Sequence, residues 1–350
     1  LMVKEIIDSK ILPEGSLQLI PGTGKGILDH VGHNDIVTFT GSANTGKILK
    51  SHPNILENSV PFNMEADSLN ACVLGEDVDE NSEEFYIFIK EIYREITVKT
   101  GQKCTAVRRI LVPENKIDQV QKALITKLEK TIIGNPENKD VRMGALASKI
   151  QVERVKENVE LLMESQEKVF DNSLNLNLVD ASEEKGAFFS PVLFRNDEPF
   201  LKDAVHNIEA FGPVSTLIPY KNMEEAVELV EMGKGSLVTS FVSNDDQKSK
   251  EFVVETAHTN GRILVLNSRC SKESTGHGSP MPQLVHGGPG RAGGGEEMGG
   301  IRGIKHYLQR TAVQGHPETI TKITEQFQIG ADQPESNPHV FRKHFEELKV

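Results

Sequence analysis

The spacing of apolar positions changes several times along this chain, and each change predicts an element. Val3, Ile6 and Ile7 open the sequence at helical spacing. Residues 17–20 (LQLI) read as a short strand closed by Pro21-Gly22. Residues 35–40 (DIVTFT), β-branched and aromatic between turn residues, predict a buried strand. A glycine-bearing turn at 41–46 then delivers the chain into a helical run from Lys47. Strand, glycine turn and helix in that order are the grammar of a doubly wound α/β sheet. An acidic stretch, 76–84, leads into a helix where Phe85, Phe88, Ile89, Ile92, Tyr93 and Ile96 share one broad face, with Asn81 and Glu84 as its capping box. Further strands are predicted at 107–112, 188–193, 215–218, 238–242 and 263–266, and helices at 116–129, 148–164, 223–232 and 246–256. No internal repeat is visible.

Residues 276–303 break the pattern. Backbone this rich in glycine forms neither a regular helix nor a strand. Flexible linkers seldom carry Arg, His and Met, so a shaped loop over a site is expected here. Residues 306–313 (HYLQRTAV) alternate as a short strand, and from Gly315 onward the rising polar, Pro and Gly content suggests an interdomain linker.

Composition narrows the classes. With 350 residues, 37% of them hydrophobic, the chain can fill one large core or two ordinary ones. Lys and Arg number 39 against 51 Asp and Glu, a net charge of −12. An acidic chain without basic runs is a poor partner for nucleic acid or an anionic membrane, so neither is expected. No apolar run approaches the roughly 20 residues of a membrane span. A cytoplasmic protein is the expectation. Cys72, Cys104 and Cys270 are odd in number and widely spaced, which argues against a disulfide framework and a zinc ribbon. No metal site is expected. The chain starts inside an amphipathic segment and stops in mid-pattern at residues 341–350, as a piece of a longer protein would.

Four segments can carry chemistry. Gly101-Gln102-Lys103-Cys104 puts a thiol in a turn between a long helix and a strand, where nearby N–H donors or positive charge would favour the reactive thiolate. A buried, inert thiol is the competing reading. Glu65 lies among Val60, Pro61, Phe62 and Met64, surroundings that should raise its pKa and suit a base working near neutrality. Gly41 and Ser42 close the strand where a following helix N-terminus would favour phosphate. The same residues spell Gly41-x-x-x-x-Gly46-Lys47, close to a nucleotide-binding P-loop, but Ile48 stands where that motif needs Ser or Thr. Glu209, ahead of Phe211-Gly212-Pro213, could hydrogen-bond a ribose.

In order and spacing these segments resemble the aldehyde dehydrogenase superfamily. Phe39-Thr40-Gly41-Ser42 is similar to its cofactor-binding turn, Glu65 to its general base, Gly101–Cys104 to its nucleophile motif, and Glu209–Pro213 to its ribose-holding segment. Gly295-Glu296-Glu297-Met298-Gly299 resembles a late loop of the family, with Glu296 in place of an Arg. Residues 272–280 and 286–295, with 64–70 and 307–315, are more similar to members that oxidise CoA-linked semialdehydes in phenylacetate breakdown, fused there to a hydratase of the hot-dog type; the benzoate-pathway members share the same glycine-rich ending.

The resemblance implies a partial Rossmann-type dinucleotide domain (1–73) and an α/β catalytic domain (74–270). Glycine-rich active-site loops (271–304), an oligomerisation strand (305–314), and a linker with the start of a hydratase domain (315–350) would follow. It implies Cys104 as nucleophile, Glu65 as general base, and Gly41, Ser42, Glu209 and Phe211 at the cofactor, NADP in preference to NAD. Glu297 and Arg291 would belong to the active-site loops, with Arg291 toward a CoA tail. The implied substrate is a small-molecule aldehyde, CoA-linked, and the implied assembly a homo-oligomer. The family's oxyanion Asn and cofactor Lys have no counterpart in these residues, so the 350 residues alone are expected to be poorly active or inactive. An inactive scaffold is the non-catalytic alternative.

Overall fold

The computed structural model describes residues 1–332 except 23, 174, 175, 271 and 299. Leu1–His306 make one compact unit and Tyr307–Val350 a second. The first unit contains α1 (Met2–Asp8), β1 (Val37–Thr40), α2 (Ala43–Lys50), α3 (Pro53–Glu57), β2 (Phe62–Glu65), β3 (Ala71–Leu74), α4 (Glu83–Thr97), β4 (Arg109–Pro113) and α5 (Ile117–Leu128). It continues through β5 (Ile133–Gly134), α6 (Lys149–Met163), β6 (Glu167–Asp171), β7 (Leu178–Val179), β8 (Val192–Arg195) and β9 (Val214–Tyr220). It ends with α7 (Met223–Glu231), β10 (Thr239–Val242), α8 (Asp246–Thr256), β11 (Ile263–Leu266), β12 (Val285–Gly287), β13 (Glu296–Met298) and α9 (Ile301–His306). Among the described residues, no helix is long and apolar enough to cross a membrane.

The core is a seven-stranded sheet in the order β11-β10-β3-β4-β9-β8-β6. All of its pairings are parallel except β6 with β8, an antiparallel edge. Central parallel strands are buried on both faces, so successive residues enter opposite cores. Cys72 and Leu74 of β3 pack with Phe88 and Ile92 of α4 and Leu124 of α5. Ala71 and Val73 pack with Leu229 of α7 and Phe252 of α8 on the other side. A separate parallel pair, β1 with β2, aligns Thr40 with Glu65.

Several expectations are corrected. Residues 17–20 are not a strand: Leu19 and Ile20 are 66% and 64% exposed, and no neighbouring segment supplies a hydrogen-bond ladder. β1 is half-exposed rather than buried, because β2 is its one sheet neighbour. α2 starts at Ala43, since the Ser42 hydroxyl accepts from the Thr45 N–H at 3.2 Å and caps the helix there. α4 is capped by Ser82, not Asn81; Glu84 turns away to accept the Ser268 N–H at 2.9 Å. Residues 306–313 form no strand within the chain, since His306 ends α9 and 307–313 join no described sheet, and the expected linker contains a two-turn helix, α10 (Pro317–Thr324). The reading of residues 341–350 lies outside the described residues.

Two histidines are buried in neutral form. His206 sits between the Arg109 guanidinium, 3.2 Å from Nδ1, and the Pro199 carbonyl, 3.2 Å from Nε2. His277 has its Nδ1 2.6 Å from the Ser240 hydroxyl. Burial, then the neighbouring Arg109 for His206 and Arg262 for His277, push both imidazoles down to about 3. The unfolded chain takes up these protons near pH 6.5. Between pH 6.5 and 3 the unfolded state therefore binds more protons, and stability falls as pH falls. We expect each histidine to cost on the order of 1 kcal/mol per pH unit across that window. Melting curves of the wild type and of H206Q and H277N check this: the variants should flatten the profile. A wild-type profile already flat from pH 6.5 to 4 would refute it.

Candidate active site

The thiol of Cys104 is held by a strained turn. After α4 the chain passes through Lys99, Thr100 and Gly101 with φ of 52°, 54° and 67°. A left-handed conformation in two successive non-glycine residues costs about 1 kcal/mol or more each and persists only where surroundings enforce it. Here the Thr100 hydroxyl donates to the Gly144 carbonyl at 3.0 Å. Gly101 has no substitute: a Cβ there would stand 2.2 Å from the Gly212 carbonyl oxygen. Gln102 accepts from the Ala147 N–H at 2.7 Å and donates to the Phe211 carbonyl at 3.2 Å. Buried Asn70 donates to the carbonyls of Cys104 at 2.8 Å and Ala106 at 3.0 Å. The turn is thus fixed on both sides, and Cys104 remains partly exposed.

Glu65 ends β2 at one of the two buried positions of an alternating strand. Its carboxylate and the Cys104 sulfur meet a third group, His286 of β12. Nε2 of His286 lies 3.1 Å from Glu65 Oε2 and 3.9 Å from Cys104 Sγ. Across the β12–β13 pair, His286 is directly opposite Glu297, whose carboxylate accepts from the Thr40 hydroxyl at 3.4 Å. Sequence reasoning missed the role of His286; its position in the glycine-rich segment was the available signal. The expectation for Glu65 is also corrected. Burial raises its pKa, but the contacts with His286 and the Cys104 thiol outweigh that and hold it below the usual carboxylate value. Burial and the Glu65 charge push the Cys104 thiol up to about 12. Glu297 is raised by its own burial and by the Glu65 charge.

The glycine-rich segment is shaped over the site, as expected, but the expectation that it holds no regular element is corrected: β12 and β13 pair antiparallel within it and α9 begins at its end, because the residues of these elements are mostly not glycine. It lies backbone against backbone on β2: the Gly295 N–H donates to the Met64 carbonyl at 3.0 Å, and the Ala66 N–H to the Ala292 carbonyl at 2.9 Å. Gly293, at φ 108°, would place a Cβ 2.3 Å from the Met64 carbonyl oxygen. Asn63 accepts from the Glu296 N–H at 2.9 Å and donates to its carbonyl at 3.2 Å. This stacking carries His286 to Glu65. Arg291 braces the loop, donating to the His206 and Asn207 carbonyls at 3.2 and 2.5 Å and approaching Asp67 at 3.7 Å.

Glu209 and Phe211 lie on the other side of the Cys104 turn. Glu209 is buried against Arg108, with Oε1 3.2 Å from Nε, and its Oε2 accepts the Ser68 N–H at 3.1 Å. Burial raises its pKa although Arg108 opposes the shift. Arg108 also donates to the Gly212 and Gly101 carbonyls at 2.6 and 2.9 Å and stacks on Phe211 at 5.4 Å. In this arrangement Glu209 is first the counter-ion of Arg108.

The Gly41-Ser42 turn sits at the end of β1 beside Glu65, set there by the Thr40–Glu65 register. The P-loop alternative fails here. A P-loop wraps its phosphate before the helix begins, whereas residues 43–46 already belong to α2 and Gly46 packs on Met64.

The aldehyde dehydrogenase family pattern matches residues 1–313. The chain is 41% identical over 288 residues to 3,4-dehydroadipyl-CoA semialdehyde dehydrogenase of Aromatoleum evansii, covering 82% of this chain and 56% of that protein. It is 47% identical over 208 residues to Protein MaoC of Klebsiella aerogenes, covering 59% of this chain and 60% of that one. A solved apo structure of a betaine aldehyde dehydrogenase variant from Staphylococcus aureus superposes with a TM-score of 0.75 at 25% identity, covering 88% of this chain and 57% of its own. Another structure of that enzyme, in complex with NAD+, gives the same TM-score and identity and covers 88% and 59%. The chain therefore spans somewhat over half the length of these relatives.

Proposed function

The chain belongs to the aldehyde dehydrogenase family, and from that premise we propose that it supplies the thiol and acid of an oxidation of a CoA-linked semialdehyde to its carboxylic acid. The observation carrying this reading is the convergence of Cys104, Glu65 and His286 within one small cluster. The CoA-linked substrate rests on the relative that acts on a CoA semialdehyde. The parent protein would also carry a hydratase half, for which residues 315–350 are the approach. Residues 1–73 would belong to the dinucleotide domain, 74–270 to the catalytic domain, and 306–313 would pair with a second subunit's sheet edge in a homo-oligomer.

The residues at the end of β1 fit a dinucleotide. A strand leads through Gly41-Ser42 to a helix N-terminus, and the Thr40–Glu65 register puts that turn at the same edge as the acid. We assign NADP, with NAD as the alternative; the nicotinamide, when bound, supplies the hydride acceptor. Gly41 and Ser42 would meet its phosphates, Phe211 would line its nicotinamide half, and Glu209 would reach its ribose by sharing or releasing Arg108.

The chain's own groups perform the remaining chemistry. The thiol proton of Cys104 passes to His286 Nε2, and the imidazolium is then bracketed by thiolate and the Glu65 carboxylate. An imidazolium so placed would oppose the burial and the Glu65 charge that push the thiol up to about 12. The thiolate attacks the aldehyde carbon to give a thiohemiacetal on Cys104, and oxidation leaves a thioester. Glu65, ionised, takes a proton from the water that hydrolyses the thioester. Glu297 stands behind Glu65 as its carboxylate neighbour.

The test is to incubate the full-length parent protein with a CoA-linked semialdehyde and NADP+ or NAD+ and follow absorbance of the reduced nicotinamide. We expect aldehyde-dependent reduction and an acyl adduct on Cys104 in peptide mass spectra. No adduct on Cys104 under turnover with either dinucleotide would refute the assignment.

A further inference from the structure

The cluster at the base of the site has a second chemical capacity. Among the described residues, Glu65, Cys104 and His286 form a group whose ligand atoms all lie within 4.8 Å of one another. A carboxylate, a thiolate and an imidazole are three of the donors that hold zinc. With bonds of about 2.0 Å to nitrogen and oxygen and about 2.3 Å to sulfur, the tetrahedral ligand atoms of this set stand about 3.3 to 3.5 Å apart. The observed 3.1 Å from Glu65 to His286 and 3.9 Å from His286 to Cys104 bracket that range. With all ligand atoms within 4.8 Å of one another, a shift of at most about 1.3 Å at the Cys104–Glu65 edge closes the set.

Glu65 Oε2 supplies an independent indication. The residue is 4% exposed, yet this oxygen has no hydrogen-bond partner. His286 Nε2, 3.1 Å away, is an ionic partner for it only when the imidazole is protonated. A buried carboxylate oxygen of this kind is costly unless a donor or cation meets it. Glu297, opposite His286 in the β12–β13 pair, is not one of the three converging donors, so water would complete the coordination.

We infer that Cys104, His286 and Glu65 bind a soft divalent cation of the zinc class, and that its binding reversibly blocks the thiol. The soft thiolate favours zinc over magnesium or calcium. The step is a displacement without redox change: the Zn–S bond forms, the S–H bond breaks, and one proton leaves to solvent. His286 binds through the Nε2 lone pair and keeps its ring proton on Nδ1. The sulfur lone pair that would attack a carbonyl is then held in the Zn–S bond, and Glu65 is no longer free to take a proton from water. The consequence for activity rests on the proposed dehydrogenase function; the ligand set does not.

The test adds Zn2+ alone to the full chain. We expect one zinc retained per chain after gel filtration, read by plasma mass spectrometry. At free zinc tenfold above Kd, iodoacetamide labelling of Cys104, read peptide by peptide, should slow about tenfold and recover with EDTA. Cobalt(II) in place of zinc should give a near-ultraviolet sulfur-to-metal absorption that is lost in C104S. H286N should weaken zinc binding about tenfold or more. Should H286N fail to fold, the labelling and cobalt measurements on the wild type and C104S decide. Unchanged Cys104 labelling with zinc bound, or full zinc retention in C104S, overturns the site. Neither measurement uses an aldehyde or a dinucleotide, so failure of the zinc site and failure of the dehydrogenase reading are distinguishable.

Discussion

Replacement of Cys104 by Ser should remove aldehyde oxidation almost entirely, with a fall in kcat/KM of about 1,000-fold or more in the full-length protein. A serine hydroxyl is far harder to ionise than a thiol, and burial beside Glu65 already pushes Cys104 up to about 12. His286, 3.9 Å away, cannot offset that larger difference. Glu65→Gln should behave differently. It keeps the nucleophile but removes the base and the carboxylate beside the imidazolium, so a first burst of reduced nicotinamide should survive, slowed, while turnover falls about 100-fold or more. Stopped-flow absorbance separates the two variants, and intact-mass spectra should show the thioester accumulating in E65Q. Loss of the burst in E65Q, in a protein that still melts like the wild type, would assign Glu65 to thiol activation instead of hydrolysis.

The second large effect is structural. Arg108 is 5% exposed and ties Glu209 to the Gly101 and Gly212 carbonyls around the Cys104 turn. Arg108→Leu leaves the Glu209 carboxyl buried without its cation and two carbonyls without their donor. Breaking a buried pair from one side costs about 3 to 5 kcal/mol. A drop of that size in urea unfolding is expected, together with faster labelling of Cys104 as its turn loosens. Arg108→Lys should recover little, because one ammonium cannot span a carboxylate and two carbonyls as the guanidinium fork does. R108L/E209L should be more stable than R108L alone, since it removes the stranded charge. An R108L protein as stable as the wild type would show that the pair contributes nothing net.

The sheet and its covering helices were largely legible. Phe88 and Ile92 recur at helical spacing because one face of α4 meets the sheet. β3 was missed because its four residues are buried on both faces, which removes alternation and leaves a run too short to classify. β6, EKVFD, reads as polar because it is an exposed edge. Residues 17–20 show the reverse error: apolar spacing without a sheet partner does not make a strand. In the site, Cys104 and Glu65 could be found because their neighbours in sequence carry short, specific motifs. His286 could not be assigned a role, because the loop path that brings it to Glu65 depends on backbone packing of Gly293 and Gly295 on Met64. The sign of the Glu65 shift went wrong for the same reason: burial was visible in its apolar neighbours, and the histidine that outweighs it was not.

The glycine-rich hairpin also sets a timetable. Cys104 and His286 are separated by 182 positions. A chain emerging from the ribosome holds the thiol and Glu65 long before it holds the imidazole. Until β12 docks, Cys104 and Glu65 lack the imidazole that lies 3.9 Å from the sulfur in the folded unit. The cluster is therefore completed only by one of the last segments of the unit to be made, and a nascent or misassembled chain carries the thiol and the acid without the imidazole.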